Sequence, residues 1–154
     1  MMRRSGKWLF CLGLGLGVTQ AHAWCWSRAG QLHAIEPELL QAIADVESGQ
    51  RPDAINHNRN GTRDIGLMQI NSIHLPRLNA QGITEQRLLD EPCLSVEVGA
   101  QVLAEFIARY GYNWTAVGAY NAGHSPHRQA ARLRYARKVW KRYQAFTQAR
   151  MAAP

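Results

Sequence analysis

The chain has 154 residues and a formal net charge of +7, with 46% hydrophobic and 19% charged residues. This length fits one domain, and the apolar fraction is high enough to bury a core, which excludes a disordered or collagen-like chain. The positive charge alone does not indicate a nucleic-acid partner, because charge implies a partner only where it clusters on one face of the processed protein.

The N-terminus has the pattern of a secretory signal peptide. Basic residues precede an apolar run at residues 8–18, and residues 21–23 read Ala-His-Ala, a small-residue cleavage pattern. The run is shorter than the roughly 20 residues that span a bilayer. We therefore expect a signal peptide at 1–23 and one exported domain at 24–154, in the periplasm and without a stable membrane anchor. An uncleaved anchor is the alternative.

Signal removal would leave Cys25 and Cys93 of the three cysteines. In an oxidising exported compartment we expect these two to pair, with free thiols as the alternative. A bridge closing a loop of about 68 residues would stabilise the fold by about 4 kcal/mol in the chain-entropy model.

Capping residues and apolar spacing predict the elements of the first half. A helix should cover residues 36–48 and end at Gly49. Residues 51–64 have no apolar period and many Asn, Gly and Asp, so we expect turns or a short irregular hairpin. A short helix within 65–78 should end at Pro76.

The second half is predicted to be helical. Ser95 can cap a helix, residues 116–122 form a short buried helix stopped by Gly123, and residues 129–146 form the last helix. The inward residues of that last helix should be Ala136, Val139, Trp140 and Tyr143. The predicted fold is a single, mainly α domain with at most a small sheet around residues 53–66.

Glu47 is an acid at an apolar position of the first predicted helix. It follows Ile43 by four residues and Leu40 by seven, so its carboxylate lies on the apolar stripe, whereas Asp45 points away. Burial and the negative end of the helix dipole would both raise its pKa, as a general acid requires. Alternatively, the helix frays at Val46 and Glu47 meets water.

Four short motifs occur in a fixed order along the chain: Glu47-Ser48-Gly49, Gly66-Leu67-Met68-Gln69-Ile70-Asn71, Ala119-Tyr120-Asn121-Ala122-Gly123 and Arg134-Tyr135-Ala136-Arg137-Lys138-Val139. Together they resemble the motifs of lytic transglycosylases with a soluble-lytic-transglycosylase (goose-lysozyme-like) domain. The resemblance implies a lysozyme-like, mostly helical fold and cleavage of peptidoglycan glycan strands. The small size, signal peptide and early cysteine are similar to the specialised enzymes of type III secretion, type IV pilus and conjugation systems.

The segment 60–72 is also similar to the part of animal-type lysozymes that carries their second catalytic aspartate, and Asp64 occupies that place. The resemblances imply that Glu47 protonates the leaving oxygen and then takes the proton of the muramic-acid C6 hydroxyl, leaving a 1,6-anhydro end. Asp64 would stabilise positive charge or orient the sugar. As a nucleophile or water activator it would instead favour hydrolysis, and as a turn residue it would only cap the backbone near Gly66.

The resemblance also implies a set of substrate-binding residues. Gln69 and Asn121 offer amides to an N-acetyl group or hydroxyl, and Tyr135 corresponds to the family tyrosine that hydrogen-bonds the catalytic glutamate. Backbone capping by the amides and a core position for Tyr135 are the alternatives. The full predicted set is Met68, Gln69, Tyr120, Asn121 and Tyr135.

No cofactor or metal is expected. His124 and His127 flank Pro126 and lack further ligands, and no phosphate loop is present. The last 46 residues carry nine basic and no acidic side chains, which fits a solvated helix face, an anionic wall polymer or an acidic partner better than nucleic acid. The sequence thus predicts a lytic transglycosylase that opens the wall for a secretion, pilus or conjugation machinery, whose subunit would be a partner. A hydrolytic muramidase and a non-catalytic wall-binding component are the alternatives.

Overall fold

The structure is a computed structural model that describes the backbone of residues 17–153 and the side chains of residues 25–153. The predicted signal peptide therefore lies outside the described side chains, and most of it lies outside the described backbone. Within the described part the helices are α1 (Gly17–His33), α2 (Pro37–Ser48), α3 (Leu75–Asn79), α4 (Glu85–Asp90), α5 (Pro92–Tyr110), α6 (Trp114–Ala122) and α7 (Gln129–Ala152). Short 3-10 helices cover Ser72–His74 and Pro126–Arg128.

Helix α2 lies in the middle of the helical body. Pro37 in its first turn needs no hydrogen-bond partner for its nitrogen, and Gly49 ends the helix with a left-handed φ of 62°. Leu39, Leu40 and Ile43 are buried along one face, where α1, α5 and α7 pack against the helix. The predicted helix at 36–48 is confirmed.

Helices α6 and α7 pack closely against each other because α6 has no side chain at the point of contact. A Cβ on Gly118 would lie 2.5 Å from the carbonyl oxygen of Arg132. Asn113 caps α6 by accepting hydrogen bonds from the backbone N–H groups of Thr115 and Ala116. Both predicted helices are present, although α6 begins earlier and α7 ends later than the sequence indicates.

A small antiparallel sheet stands beside the helices. Its strands are β1 (Ile55–His57), β2 (Arg63–Ile65) and β3 (Ile70–Asn71), in the order β1-β2-β3. Asp64 in β2 stands opposite Asn56 of β1 and Asn71 of β3. The predicted fold class, mainly helical with a small sheet, is confirmed, and the sheet extends beyond the predicted hairpin by one strand.

Three local predictions are wrong. Pro76 lies in the first turn of helix α3, where proline is tolerated, instead of ending a helix. Ser95 lies inside α5, where its buried hydroxyl accepts a hydrogen bond from the backbone N–H of Met68 at 3.2 Å. Trp140 is 41% exposed instead of inward. Helices α1 and α4 were not predicted.

The predicted disulfide between Cys25 and Cys93 is present and joins α1 to α5, with the two Cα atoms 5.2 Å apart. It closes a segment with a sequence separation of 68 residues that includes α2, the sheet and α4. Among the described residues, no helix combines the length and the apolar character needed to traverse a bilayer.

Candidate active site

A cleft of about 450 Å³ lies between the helical body and the sheet. Its lining is mostly polar, and amide and hydroxyl side chains from the sheet face acidic and amide side chains from the helices. The lining residues are Glu47, Asn58, Arg59, Asn60, Thr62, Asp64, Gln69, Ile70, Asn71, His74, Val102, Tyr120, Asn121 and Arg128. A cleft rich in hydrogen-bonding groups suits a ligand rich in hydroxyl and amide groups.

Glu47 is held in the cleft wall by the last turn of α2. The next residue, Ser48, is buried, and its hydroxyl contacts the carbonyl oxygens of Ala44 at 3.1 Å and Leu67 at 2.8 Å. The contact to Leu67 joins the end of α2 to the turn between β2 and β3. The helix therefore continues through Ser48, and the alternative that it frays at Val46 is wrong.

The surroundings of Glu47 favour its protonated form. Burial raises the pKa of this carboxyl from 4.5 to about 7, and the negative charge of Asp64 acts in the same direction. Tyr135, Asn121 and Lys138 have smaller, opposing effects that lower this pKa. Because desolvation dominates, a large fraction of Glu47 carries a proton at neutral pH, which is the state a proton donor needs.

Two polar side chains come close to Glu47 from neighbouring helices. The amide nitrogen of Asn121, at the end of α6, lies 3.5 Å from Glu47 Oε1, a long contact. Tyr135 of α7 is 6% exposed, and its buried hydroxyl pairs loosely with Glu47, a contact that lowers the pKa of that carboxyl. Burial first, and then the charge of Glu47, raise the pKa of Tyr135 well above its ordinary value.

Asp64 lies in the centre of the sheet, and two amides hold its carboxylate. Asn71 donates to Oδ1 at 2.7 Å, and Asn58 donates to Oδ2 at 3.0 Å. The backbone N–H of Gly66 donates instead to the carbonyl oxygen of Ala54. The Asp64 carboxylate therefore faces the cleft, fixed from both sides, and does not cap the backbone near Gly66.

Of the remaining predicted site residues, Gln69 and Tyr120 line the cleft and Met68 does not. The Gln69 amide nitrogen donates to the carbonyl oxygens of Ala54 and Gly66, so its amide is engaged with the backbone as in the capping alternative. Tyr120 lines the cleft, and its hydroxyl donates to the Met68 carbonyl oxygen at 2.8 Å. Met68 itself does not line the cleft.

The Met68 side chain is fully buried against Gly99 of α5, where an added Cβ would lie 2.7 Å from its terminal methyl carbon. The predicted contact of this side chain with substrate therefore has no support in the geometry, because packing against α5 occupies it. Its backbone N–H and carbonyl oxygen, bonded to Ser95 and Tyr120, instead fix the loop that carries Gln69.

Sequence reasoning missed the residues that complete the cleft. Asn58 and Asn71 fix Asp64, and Arg59 and Arg128 add two cations to the lining. The signal available was a run of amides on both sides of Asp64, which resembles ordinary turn composition. Within the described side chains, no three His, Cys, Asp or Glu residues are grouped as metal ligands.

The profile of the transglycosylase SLT domain family matches residues 24–143 of the chain. The chain belongs to this family. The SLT-domain protein has relatives of similar length. Invasion protein IagB of Salmonella typhimurium is 54% identical over 128 residues, which is 83% of this chain and 80% of the relative. Protein IpgF of Shigella flexneri is 49% identical over 119 residues, covering 77% and 78%.

A solved structure shares the fold. The lytic transglycosylase Slt of Pseudomonas aeruginosa, determined by X-ray as an inactive mutant, superimposes with a TM-score of 0.68 at 21% identity. The match covers 88% of this chain and 25% of that chain, so the present protein spans about a quarter of Slt. The SLT-domain protein has a lysozyme-like SLT fold and is a lytic transglycosylase, an enzyme whose substrate is peptidoglycan.

Proposed function

We propose that the SLT-domain protein cleaves the β-1,4 bond between MurNAc and GlcNAc and forms 1,6-anhydro-muramic ends, with Glu47 as the acid and then the base. The observation that carries this proposal is the burial of Glu47 in the wall of a polar cleft, which raises its pKa to about 7. A carboxyl with this pKa can both give and take a proton near neutral pH.

The reaction is balanced by one proton that leaves Glu47 and one that returns. Protonated Glu47 gives its proton to the glycosidic oxygen, and the bond to the anomeric carbon breaks with oxocarbenium character at that carbon. The Glu47 carboxylate then takes the proton of the C6 hydroxyl of the same muramic acid. The C6 oxygen bonds to the anomeric carbon, which closes the anhydro ring and regenerates the acid.

Asp64 is suited to stabilise the positive charge that develops at the anomeric carbon. Two amides hold its carboxylate, so it needs no rearrangement as that charge forms. If a water reached the anomeric carbon before the C6 hydroxyl, the same pair of acids would produce hydrolysis. The product therefore distinguishes the transglycosylase from a hydrolytic muramidase.

We further propose that the protein acts in the periplasm and opens the wall locally for a secretion, pilus or conjugation apparatus. The predicted signal peptide supports export. The name of one relative, an invasion protein, fits a role in delivering proteins to the outside of the cell. A subunit of such an apparatus would then be a partner of the enzyme.

Digestion of purified sacculi, followed by mass spectrometry of the released fragments, tests the reaction. We expect anhydro-muramic ends, 18 Da lighter than the hydrolysed ends. Hydrolysed reducing ends would overturn the transglycosylase reaction in favour of the muramidase. Binding to sacculi without any release, unchanged by Glu47→Gln, would support instead a non-catalytic wall component.

A further inference from the structure

A second pocket, of about 220 Å³, lies outside the cleft and shares no lining residue with it. It is formed where the start of α6 meets the middle of α7. Pockets that enclose drug-sized ligands have about 300–1,000 Å³, so this one admits a single ring-sized group. Its lining residues are Glu36, Leu39, Ile107, Tyr112, Asn113, Trp114, Val117, Trp140 and Tyr143.

Aromatic rings form the exposed part of this pocket, which we call the aromatic pocket. The rings of Trp114 and Trp140 meet edge to face with their centroids 5.1 Å apart. The Tyr143 ring centroid lies 6.0 Å from that of Trp114 and 5.9 Å from that of Trp140. Despite these contacts, Trp114 is 38% and Trp140 is 41% exposed. Exposed aromatic rings that are grouped and held in fixed orientations are typical of a binding site, whereas single exposed rings are not.

The polar groups beside the rings suit an uncharged ligand. Among the described residues, neither indole N–H of Trp114 and Trp140 has an acceptor. One carboxylate oxygen of Glu36 accepts a hydrogen bond from the Tyr112 hydroxyl, which in turn accepts from the Glu36 backbone N–H at 3.3 Å. The other carboxylate oxygen remains available to a ligand. No described cation lines the pocket, so an anionic group finds no partner of opposite charge there.

One sugar ring of a β-1,4-linked glycan matches these features. The ring substituents of such a glycan are mainly equatorial, so each ring has an apolar face of axial C–H groups and a polar edge of hydroxyl and amide groups. The apolar face can pack on an indole, while the edge exchanges hydrogen bonds with N–H and carboxylate groups. A protein partner fits less well, because a standard interface needs about 800 Å² on each side, far more than a pocket for one ring supplies.

The aromatic pocket lies at the opposite end of the helices that carry the catalytic residues. Glu36 precedes α2 and Glu47 lies in its last turn, eleven residues later, which is about 16 Å at a rise of 1.5 Å per residue. Likewise Trp114 begins α6, and Asn121 lies near its end. The substrate of the family is a polymer, and peptidoglycan strands can therefore occupy the cleft and the aromatic pocket at the same time.

We propose that the aromatic pocket is a second, non-catalytic glycan-binding site that holds a peptidoglycan strand while the cleft cleaves one. Binding at one site raises the effective concentration of the wall at the other. The site therefore tightens binding to intact sacculi and leaves the cleavage of short glycan fragments unchanged. This inference goes beyond the proposed reaction, and it holds for anhydro and for hydrolysed products alike.

Titration with chitotetraose, a soluble β-1,4-linked oligomer of GlcNAc, tests the pocket directly. The titrated protein is Glu47→Gln, which lacks the proton donor. Heteronuclear NMR resolves the indole N–H signals, and Trp114→Phe and Trp140→Phe assign them. We expect both signals to shift to saturation. Stationary indole signals, with only cleft signals shifting, would overturn the proposal. Broadening of the indole signals with protein concentration in the absence of sugar would overturn it in favour of a contact between copies.

Kinetics on two substrates separate binding at the pocket from catalysis. Rates are measured on intact sacculi and on short soluble glycan fragments that fill only the cleft. Trp140→Ala removes the ring and Trp140→Phe keeps an aromatic face. Leu133→Ala is the control, because Leu133 is an exposed apolar residue of α7 that does not line the pocket. We expect Trp140→Ala to raise KM for sacculi about fivefold with kcat nearly unchanged, and the other two variants to stay near the wild type.

On the short fragments all variants should match the wild type. An equal loss by Trp140→Ala on both substrates would show that the ring only supports the fold, and it would overturn the glycan site while the enzyme stands. A KM for sacculi that Trp140→Ala leaves unchanged would have the same meaning. A wild type that cleaves neither substrate, although chitotetraose shifts both indole signals, would instead overturn the proposed function and leave the glycan site.

Discussion

Burial of Glu47 makes the folded protein hold a proton that the unfolded chain releases. The pKa rises from 4.5 in the unfolded chain to about 7 in the fold. The folded state therefore binds more protons between these pH values, and its stability falls as the pH rises through this window. Burial of this carboxyl therefore does not destabilise the fold at acidic pH, where Glu47 is protonated. It destabilises the fold fully above neutral pH, where Glu47 is ionised.

Replacing Glu47 with glutamine should abolish wall digestion and stabilise the fold at alkaline pH. At pH 8 the free energy of unfolding should rise by up to about 3 kcal/mol, because the buried charge is removed. At pH 4 the variant and the wild type should differ little. Urea unfolding followed by tryptophan fluorescence at both pH values measures this. Asp53→Asn is the control, because Asp53 is exposed and has no ion pair among the described side chains. A pH-independent effect of Glu47→Gln would contradict the prediction.

Two further substitutions should move the pH dependence of the rate in opposite directions. With Glu47 as the acid, kcat/KM should fall as the pH rises above about 7. This fall of kcat/KM is the alkaline limb of the pH profile. Tyr135 lowers the pKa of Glu47, so Tyr135→Phe should move the alkaline limb to higher pH. Asp64 raises that pKa, so Asp64→Asn should move the limb to lower pH.

Rates of sacculus digestion are measured from pH 5 to pH 9 at constant ionic strength. They give the pH at which kcat/KM falls, which is the position of the alkaline limb, separately from the maximal rate. The position is the informative quantity, because either variant can also reduce the rate itself. A shift of both limbs in the same direction would show that Glu47 is not the group that titrates.

At the scale of elements, the site depends on how closely α6 approaches α7, since Asn121 and Tyr135 come from these two helices. Gly118→Ala would place a methyl group 2.5 Å from the backbone oxygen of Arg132. We expect a loss of about 1–3 kcal/mol in the free energy of unfolding, although alanine favours a helix more than glycine does.

Urea unfolding measures the loss. Thr115→Ala, exposed in the same helix, should change stability little, and an equal effect of both variants would contradict the packing argument.

The elements that the sequence predicted well are those with an apolar period and a terminating glycine. Helix α2 has both, with Leu39, Leu40 and Ile43 on one face and Gly49 after it. Helix α4 has six residues and one fully buried side chain, Leu88, so its apolar period is too short to detect.

The candidate site was partly predictable for a similar reason. Glu47 stood out because an acid interrupts an apolar stripe, which is a local signal. The Met68 side chain was assigned to the substrate although it is buried, because its environment depends on Gly99, a residue 31 positions away in the sequence. The support of Asp64 by Asn58 and Asn71 likewise depends on the pairing of three strands, which amide-rich turns do not specify.

At the scale of the whole molecule, the Cys25–Cys93 bridge ties the first described helix to α5. Replacing both cysteines with serine should lower the free energy of unfolding by about 4 kcal/mol, because the unfolded chain regains the freedom of a long loop. Neither cysteine lines the cleft, so the pH profile of the folded variant should match that of the wild type. A reductant should destabilise the wild type and leave the double variant unaffected. An unchanged midpoint of the wild type in reductant would contradict the prediction.

The two carboxylates of the cleft are held by different means. Glu47 is fixed by the packing of α2 and by the contact of Ser48 with the Leu67 carbonyl oxygen, whereas Asp64 is fixed by amides within three short strands. Exchange of residues 56–64 among relatives would change the chemistry opposite the acid, while residues 65–70, which are buried, keep the end of α2 in place. Engineering of new glycan specificities can therefore begin with residues 56–64, and a change of Asp64 itself would also lower the pKa of Glu47.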